Sequence, residues 1–274
     1  MRAKNISILK NMLRMAFLGA LFSTPAWSVN LTIGGTGNAL GTMHIMADAY
    51  QLKHPDVTIK VLPSIGSSGA IKAMAKGKID IGLSARPLKE KESVSGAISV
   101  EYARTPTVIA MSNRSPKTDI STDELVNIYL GKMTKWENGD FIRPVTRQAQ
   151  DGNTIQLQQL SPALKDAMEK IDKHSKFLFA STDQEAVDLI EEAQGSFGVT
   201  TLALILSEKR PIHALKLNGI SPTSEACISG EYPIIKRFYF ILPQQLPSHV
   251  KDFLDFVKSE QGKAILENNG SYAI

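Results

Sequence analysis

Leu-Thr-Ile-Gly-Gly-Thr-Gly-Asn-Ala-Leu, at residues 31–40, is the stretch that decides the fold. Its first three residues have the character of a short buried strand, and the glycines allow a tight turn. From residue 39 to residue 52 apolar side chains recur every three or four positions, which predicts a helix. The stretch therefore indicates a strand, a glycine turn and a helix start, the repeating unit of parallel α/β sheets.

A second stretch of the same kind follows about 30 residues later. Ser-Ile-Gly-Ser-Ser-Gly at residues 64–69 lies between a predicted strand at 57–62 and a short predicted helix at 70–75, and another buried strand is predicted at 79–83. Helix starts carry unpaired backbone N–H groups and the positive end of the helix dipole. Because ligands of such sheets bind where the helices begin, the two turns predict a site for a small oxyanion.

The first 28 residues have the composition of a secretory signal peptide. Four basic residues precede an apolar run at 15–22, and Ala26-Trp27-Ser28 fits a small-x-small cleavage site. The run is too short to span a bilayer as a helix, so a retained anchor is the weaker alternative. We expect residues 1–28 to be removed and the mature chain to be periplasmic.

The mature chain carries no general positive charge. The full sequence has a formal net charge of +4, but without the first 28 residues it keeps 27 Lys and Arg against 27 Asp and Glu. This balance gives no support for nucleic-acid binding, and any anion site must come from local groups. The single cysteine, Cys227, cannot form an internal disulfide, which is compatible with a periplasmic location.

The sequence has no pattern typical of an enzyme or a metal centre. The five histidines are far apart, and no pair has the spacing of metal ligands. The second glycine turn lacks the Gly-x-Ser-x-Gly pattern of a nucleophile elbow, and neither turn has the lysine of a nucleotide P-loop. We therefore predict a binding protein that has no enzymatic activity and needs no cofactor. We also expect it to be a monomer.

Further along the chain the same reasoning predicts several elements. Pro106 separates predicted strands at 98–102 and 107–112, and the loop at 113–116 is a candidate crossing between lobes. Thr122, Asp151 and Ser161 are candidate helix N-caps. The remaining predictions are a capping box at 182–185, strands at 177–179, 195–200, 202–206 and 238–242, and helices at 248–257 and 261–268.

Several motifs, in this order, resemble the substrate-binding proteins of phosphate ABC transporters. The motifs are Gly35-Thr36-Gly37-Asn38, Gly66-Ser67-Ser68-Gly69, residues 80–88, Trp136, residues 195–199 and Tyr232-Pro233-Ile234. The resemblance covers nearly all of 29–274 and implies an α/β, two-lobed type II periplasmic binding protein fold with two crossover strands and the anion in the cleft. Lobe 1 would comprise residues 29–112 and 231–274, and lobe 2 residues 113–230.

The resemblance implies that the first helix start binds the anion. The ligands would be backbone N–H groups near Asn38, Ala39 and Leu40. The family often has a hydroxyl residue where this chain has Ala39, so Thr36 or Asn38 would substitute for it. A glycine turn that only connects strand to helix is the alternative.

The second turn would contribute Ser67, which matches a serine of the family and can donate both N–H and O–H to an oxyanion. Ser68 and Gly69 would add backbone amides. An ordinary N-cap is the alternative interpretation of Ser67.

The third segment departs from the phosphate pattern. Family members specific for phosphate commonly have an Asp after the serine that corresponds to Ser84, whereas here Ala85 and Arg86 follow. An acidic acceptor suits HPO₄²⁻, which still carries a proton, unlike sulfate, molybdate and tungstate at neutral pH. Arg86 would instead bind two anion oxygens as a planar fork, or lie in a solvated loop.

Lobe 2 of the family uses an Arg followed by a helix start rich in small polar residues. Arg147 and Asp151-Gly152-Asn153-Thr154 fall at this place, with Arg143 as a rival for the anion-pairing role. Asp151 would be either the missing proton acceptor or a helix cap.

These patterns predict periplasmic binding of a small tetrahedral oxyanion, with phosphate as the leading candidate, for delivery to an inner-membrane ABC permease. Two alternatives stay open. One is a binding protein for sulfate, molybdate or tungstate, and the other is a periplasmic sensor or accessory protein that does not serve transport.

Overall fold

The computed structural model describes residues 29–93, 96–170 and 177–274, and the predicted signal peptide at 1–28 lies outside them. Within the described residues there are twelve strands and eleven helices. None of those helices is long and apolar enough to cross a membrane.

The bounds of these elements are as follows. The strands are β1 (Val29–Gly35), β2 (Val57–Val61), β3 (Ile81–Ser84), β4 (Ala97–Ser112), β5 (Asp119–Ile120), β6 (Arg143–Thr146), β7 (Leu178–Phe179), β8 (Ser196–Thr201), β9 (Ile212–Ala214), β10 (Lys216–Leu217), β11 (Ile235–Pro243) and β12 (Tyr272–Ala273). The helices are α1 (Gly37–Gln51), α2 (Gly66–Ala75), α3 (Glu90–Ser93), α4 (Thr122–Tyr129), α5 (Gly152–Gln158), α6 (Pro162–Glu169), α7 (Asp183–Glu192), α8 (Leu202–Ser207), α9 (Ser224–Ser229), α10 (Ser248–Lys258) and α11 (Glu260–Asn268).

The main sheet has the order β2-β1-β3-β11-β4-β8-β6-β7, and β9 and β12 also pair with β4. β1 lies parallel to both β2 and β3, which confirms the predicted strand and crossover-helix order. On the far side β6 is parallel to β7 and β8, while β11 and β4 are antiparallel to their neighbours. The helices α1, α2 and α5 therefore start at the carboxyl ends of strands, where sheets of this type bind ligands.

β4 is one strand of 16 residues, so the prediction of two strands separated by Pro106 is wrong. Residues up to Pro106 pair with β11, and residues from Thr107 onward pair with β8. Proline lacks an N–H group, and it is tolerated here because the strand changes its hydrogen-bonding partner at this point. The change comes before the loop at 113–116, and the lobe limits at 112/113 and 230/231 stay predictions.

Two large apolar clusters lie on either side of this change of partner. The first joins β1, β3, α1, β11 and the C-terminal helices through side chains such as Ile33, Met46 and Phe253. The second surrounds Phe197 of β8 and includes Trp136, which is buried and donates its indole N–H to the Gly195 carbonyl at 2.8 Å. Trp136 is therefore a packing residue. Each half of the chain has its own core, as a two-lobed fold requires.

Residues 202–206, predicted as a strand, form helix α8 instead. The Thr201 hydroxyl accepts a hydrogen bond from the Leu204 N–H and begins the helix. Ala203, Leu204 and Ile205 are all buried, so the segment has no polar face whose spacing would distinguish a helix from a strand.

The structure tests four of the predicted helix starts. Asp151 and Ser161 cap α5 and α6 as predicted. Thr122 is not a cap, because Ser121 caps α4 and forms a capping box with Glu124. At α7 only half of the predicted box is present, since Thr182 caps the helix but Glu185 accepts from the Ser181 N–H.

Candidate functional site

A cleft of about 710 Å³ lies between the two lobes and is lined mainly by polar residues. Lobe 1 contributes Thr36 and Asn38 at the start of α1, residues 64–68 at the start of α2, and the loop after β3. Lobe 2 contributes the segment from Arg147 to Gly152 and the start of α7, and β11 contributes Lys236. A second cavity of about 560 Å³ lies in lobe 2, but its apolar lining does not suit an anion.

Arg147 is held in a fixed orientation at the lobe 2 side of the cleft. One guanidinium nitrogen lies 2.9 Å from Asp151 Oδ2, and another lies 3.5 Å from Asp183 Oδ1. The side chain is about one-tenth exposed. Among the described residues its Nε makes no hydrogen bond, and Nη1 has only the longer ion-pair contact with Asp183. Arg147 therefore keeps donors for a further acceptor.

Asp151 is the N-cap of α5. Its Oδ1 accepts from the N–H groups of Asn153 at 2.9 Å and Thr154 at 3.4 Å, while its Oδ2 binds Arg147. Both oxygens are thus bound within lobe 2, which fits the cap interpretation better than the proton-acceptor one. Gly152, the first residue of α5, lies exposed in the cleft.

Asp183, at the first position of α7, connects the lobes at the back of the cleft. Its Oδ2 accepts from the Asn38 N–H at 3.2 Å and the Thr36 hydroxyl at 3.4 Å, and its Oδ1 accepts from the Asn153 side chain at 3.4 Å. Burial raises the pKa of Asp183, while the nearby Arg147 guanidinium acts in the opposite direction.

This contact changes what the start of α1 can offer. The Asn38 amide is bound to Asp183, and the Ala39 amide donates to the Thr36 carbonyl at 3.2 Å. Ala39 and Leu40 are buried and do not line the cleft. The predicted group of free amides at the start of α1 is therefore not available in this structure, because the amides of Asn38 and Ala39 already donate to internal acceptors.

The start of α2 fits the sequence prediction more closely. Ser67 is the second residue of the helix and not its N-cap, since that place belongs to Ile65. The Ser67 hydroxyl oxygen accepts from the Ala85 N–H at 2.9 Å, which leaves its O–H hydrogen for another acceptor. Ser68 lies exposed in the cleft, whereas Gly69 does not line it.

Arg86 lines the cleft, but its planar fork is directed at Glu92. Two guanidinium nitrogens bind the two Glu92 oxygens at 2.7 and 2.9 Å, and one also reaches Ser68 at 3.3 Å. The hydrogen bonds from Arg86 hold the pKa of Glu92 at about 2. Ser84 is buried beneath this turn and binds the Arg86 backbone, so it does not reach the cleft.

Sequence reasoning does not single out three charged residues of the cleft, namely Lys89, Asp183 and Lys236. Asp183 was assigned only to a helix cap. Lys236 lies in the strand stretch Ile234-Ile235-Lys236-Arg237-Phe238, on the same face as the buried Ile234 and Phe238. A lysine at the buried positions of a strand was the signal that could have identified it.

The two lobes, the shared long strand and the polar cleft define a type II periplasmic binding protein fold. A family model described as a PBP superfamily domain matches residues 23–261, and the chain belongs to this family. The resemblance noted in the sequence is thereby confirmed.

Individual relatives agree with this assignment. The chain is 25% identical over 248 residues to the phosphate-binding protein PstS of Bacillus subtilis, which covers 89% of this chain and 80% of the relative. A substrate-binding protein with bound phosphate from Clostridium perfringens has a TM-score of 0.75 at 24% identity, over 89% of this chain and 99% of that chain. An ABC-type phosphate transport receptor from Vibrio cholerae has a TM-score of 0.59 at 22% identity, over 89% and 99%. These structural likenesses concern the fold.

Proposed function

We propose that this chain is a periplasmic protein that binds inorganic phosphate in its cleft and delivers it to an inner-membrane ABC permease after removal of residues 1–28. Arg147 carries the proposal. It is oriented by Asp151, retains unused donors and lies beside the exposed start of α5. Two relatives of this chain are named as a phosphate-binding protein and as a substrate-binding protein with bound phosphate, and these names support the same ligand.

Binding would need no chemical step. The anion would exchange water for the Arg147 guanidinium, the α5 start and the Ser67 and Ser68 groups of the opposite lobe. Because these ligands come from both lobes, the bound anion would hold the cleft closed, and the closed form is what a permease would recognise. The protein then acts without catalysis and as a monomer.

A different tetrahedral oxyanion is the second candidate, because Ala85 lines the cleft where phosphate-specific relatives of the family commonly have an acid. Calorimetry separates the two. The mature chain, refolded free of anions, is titrated with phosphate, sulfate, molybdate and tungstate. We expect micromolar or tighter binding of phosphate. Tight binding of another anion in its place would assign that ligand, and silence with all four would leave the sensor alternative.

Variants test the site separately from the function. Arg147→Ala should weaken phosphate binding by about 10- to 100-fold, since a charge-assisted hydrogen bond is lost. Arg143→Ala is the matched control, because Arg143 lies outside the cleft and borders the apolar cavity. An unchanged affinity for Arg147→Ala would refute this site even if phosphate binds. A loss of affinity for Arg143→Ala alone would instead identify Arg143 as the arginine that binds the anion.

Ser67→Ala tests the lobe 1 side of the cleft. It removes the hydroxyl but keeps the backbone amide, so a smaller loss than that of Arg147→Ala is expected, about 5- to 10-fold. The double variant should bind more weakly than either single variant.

A further inference from the structure

Lys236 is a buried cation that approaches the start of α5. It lies on β11 opposite Thr105 of β4, and only 2% of its surface is exposed. Its Nζ would lie 3.4 Å from a Cβ atom placed on Gly152, so the amino group reaches the first residue of α5 and lines the cleft.

Within the described parts of the chain, no side-chain or backbone acceptor makes a hydrogen bond or an ion pair with this amino group. Asp183 and Asp151 attract it only across a longer distance. The side chain is buried except where the amino group opens onto the cleft, so an acceptor for the ammonium has to come from the cleft. The groups that converge on the same space, namely the Arg147 guanidinium and the start of α5, are also donors. Such a convergence of donors fits an anionic ligand.

We propose that Lys236 is a direct ligand of the anion and that its ammonium binds one oxygen while Arg147 and the start of α5 bind others. This inference rests on the proposed function. It also accounts for charge, because Arg147 already faces the carboxylates of Asp151 and Asp183. With Lys236 the two cations balance these two carboxylates, whereas Arg147 alone would leave the site with a net negative charge before a dianion binds.

The proposal predicts that binding depends on pH. Burial lowers the pKa of Lys236 to about 8, the Arg147 charge acts in the same direction, and Asp183 and Asp151 oppose both. The other charged groups of the cleft are Arg86 and Lys89 at the lobe 1 rim. A bound anion favours the ammonium and raises its pKa. Binding above about pH 8 therefore takes up a proton, and the affinity decreases as the pH rises.

The test is calorimetry of the mature chain with inorganic phosphate at about pH 8 and about pH 10, a range over which phosphate stays HPO₄²⁻. Wild-type affinity should fall by about 10-fold or more across this range. Lys236→Gln should bind about 10- to 100-fold more weakly at pH 8 and show no further decrease. Lys236→Arg stays protonated, so it should bind at both pH values with little change.

Arg237→Gln is the matched control, because Arg237 is the next residue of β11 but points away from the cleft and is half exposed. Equal affinities of wild type and Lys236→Gln with the same pH profile would overturn the role of Lys236 and leave phosphate binding intact. No phosphate binding by wild type would overturn the proposed function and this role with it. If Lys236→Gln fails to fold, a wild-type affinity that does not change with pH would still refute the proposal.

Discussion

The buried surroundings of the Asp183 carboxylate affect the free energy of folding. Burial outweighs the nearby Arg147 and raises its pKa, so the charged form is costly in the folded protein. We expect Asp183→Asn to increase the free energy of unfolding at pH 7 by about 1 kcal/mol. The amide oxygen still accepts from Asn38, and the gain from removing the buried charge exceeds the cost of placing an amide N–H₂ beside the Asn153 donor.

The raised pKa of Asp183 also determines how the stability difference between wild type and Asp183→Asn changes with pH. A raised folded-state pKa means that the folded chain holds a proton that the unfolded chain has already released. The stability that this proton provides is lost as the pH rises through the shifted pKa, so the advantage of Asp183→Asn should shrink at pH 5. Urea unfolding at both pH values measures it, with the exposed Asp166→Asn as control. A variant that is less stable than wild type at pH 7 would mean that the pair with Arg147 outweighs burial.

For single residues, the sequence predicts contacts between near neighbours in the chain. Asp151 caps the helix that begins one residue later, and the sequence alone predicts that cap. The contact of Asp183 with Asn38 joins residues 145 positions apart, and no spacing rule reaches that far. The partner of Arg86 is unpredicted for a different reason. Glu92 is only six positions away, but the conformation of the loop between them determines where the guanidinium points.

Among the elements, α4 allows a direct comparison between two neighbouring candidates for a cap. The Ser121 hydroxyl accepts from the Glu124 N–H at 3.0 Å, whereas Thr122 lies inside the helix. Ser121→Ala should lower the free energy of unfolding by about 1 kcal/mol, since the N–H loses its acceptor. Thr122→Ala is the control and should cost less, because its hydroxyl accepts only from an exposed Asn218 amide. Chemical denaturation measures both, and a larger loss for Thr122→Ala would contradict the cap assignment.

The elements that sequence reasoning predicts well are those with one buried face. α1, with its apolar spacing, and the strands that flank it have the bounds expected to within a few residues. The prediction of a strand for α8 is wrong because the segment is apolar throughout: Ala203 packs in one apolar cluster, and Leu204 and Ile205 pack in another. β4 was divided at Pro106 because the change of pairing partner, which makes the proline harmless, depends on strands far along the chain.

Across the whole molecule, the parallel start of the sheet was predictable and the composition of the cleft was not. The order of strands and helices is local information, and it implied where ligands bind. The cleft, however, combines the starts of α2 and α5 with Asp183 and with Lys236 of the crossover strand β11. At the back of the cleft two carboxylates, Asp151 and Asp183, balance two cations, Arg147 and Lys236, while Arg86 and Lys89 lie at the lobe 1 rim. Sequence reasoning expected amides, hydroxyls and arginines there, with Asp151 as the one candidate carboxylate.

That balance leads to a prediction for the stability of the whole protein. The pKa of Lys236 is about 8 when folded but has its ordinary value of 10.5 when unfolded, so between these values the unfolded chain binds more protons. The free energy of unfolding of the anion-free protein should therefore increase by about 1 kcal/mol from pH 8 to pH 9. From the upper end of that range Cys227 acts in the opposite sense, because burial raises the pKa of its thiol from 9.0 to about 11. Urea unfolding in phosphate-free buffer measures the increase. Lys236→Met should abolish it. A wild-type stability that stays level or falls between pH 8 and pH 9 would show that burial does not lower the pKa of Lys236 in the folded protein.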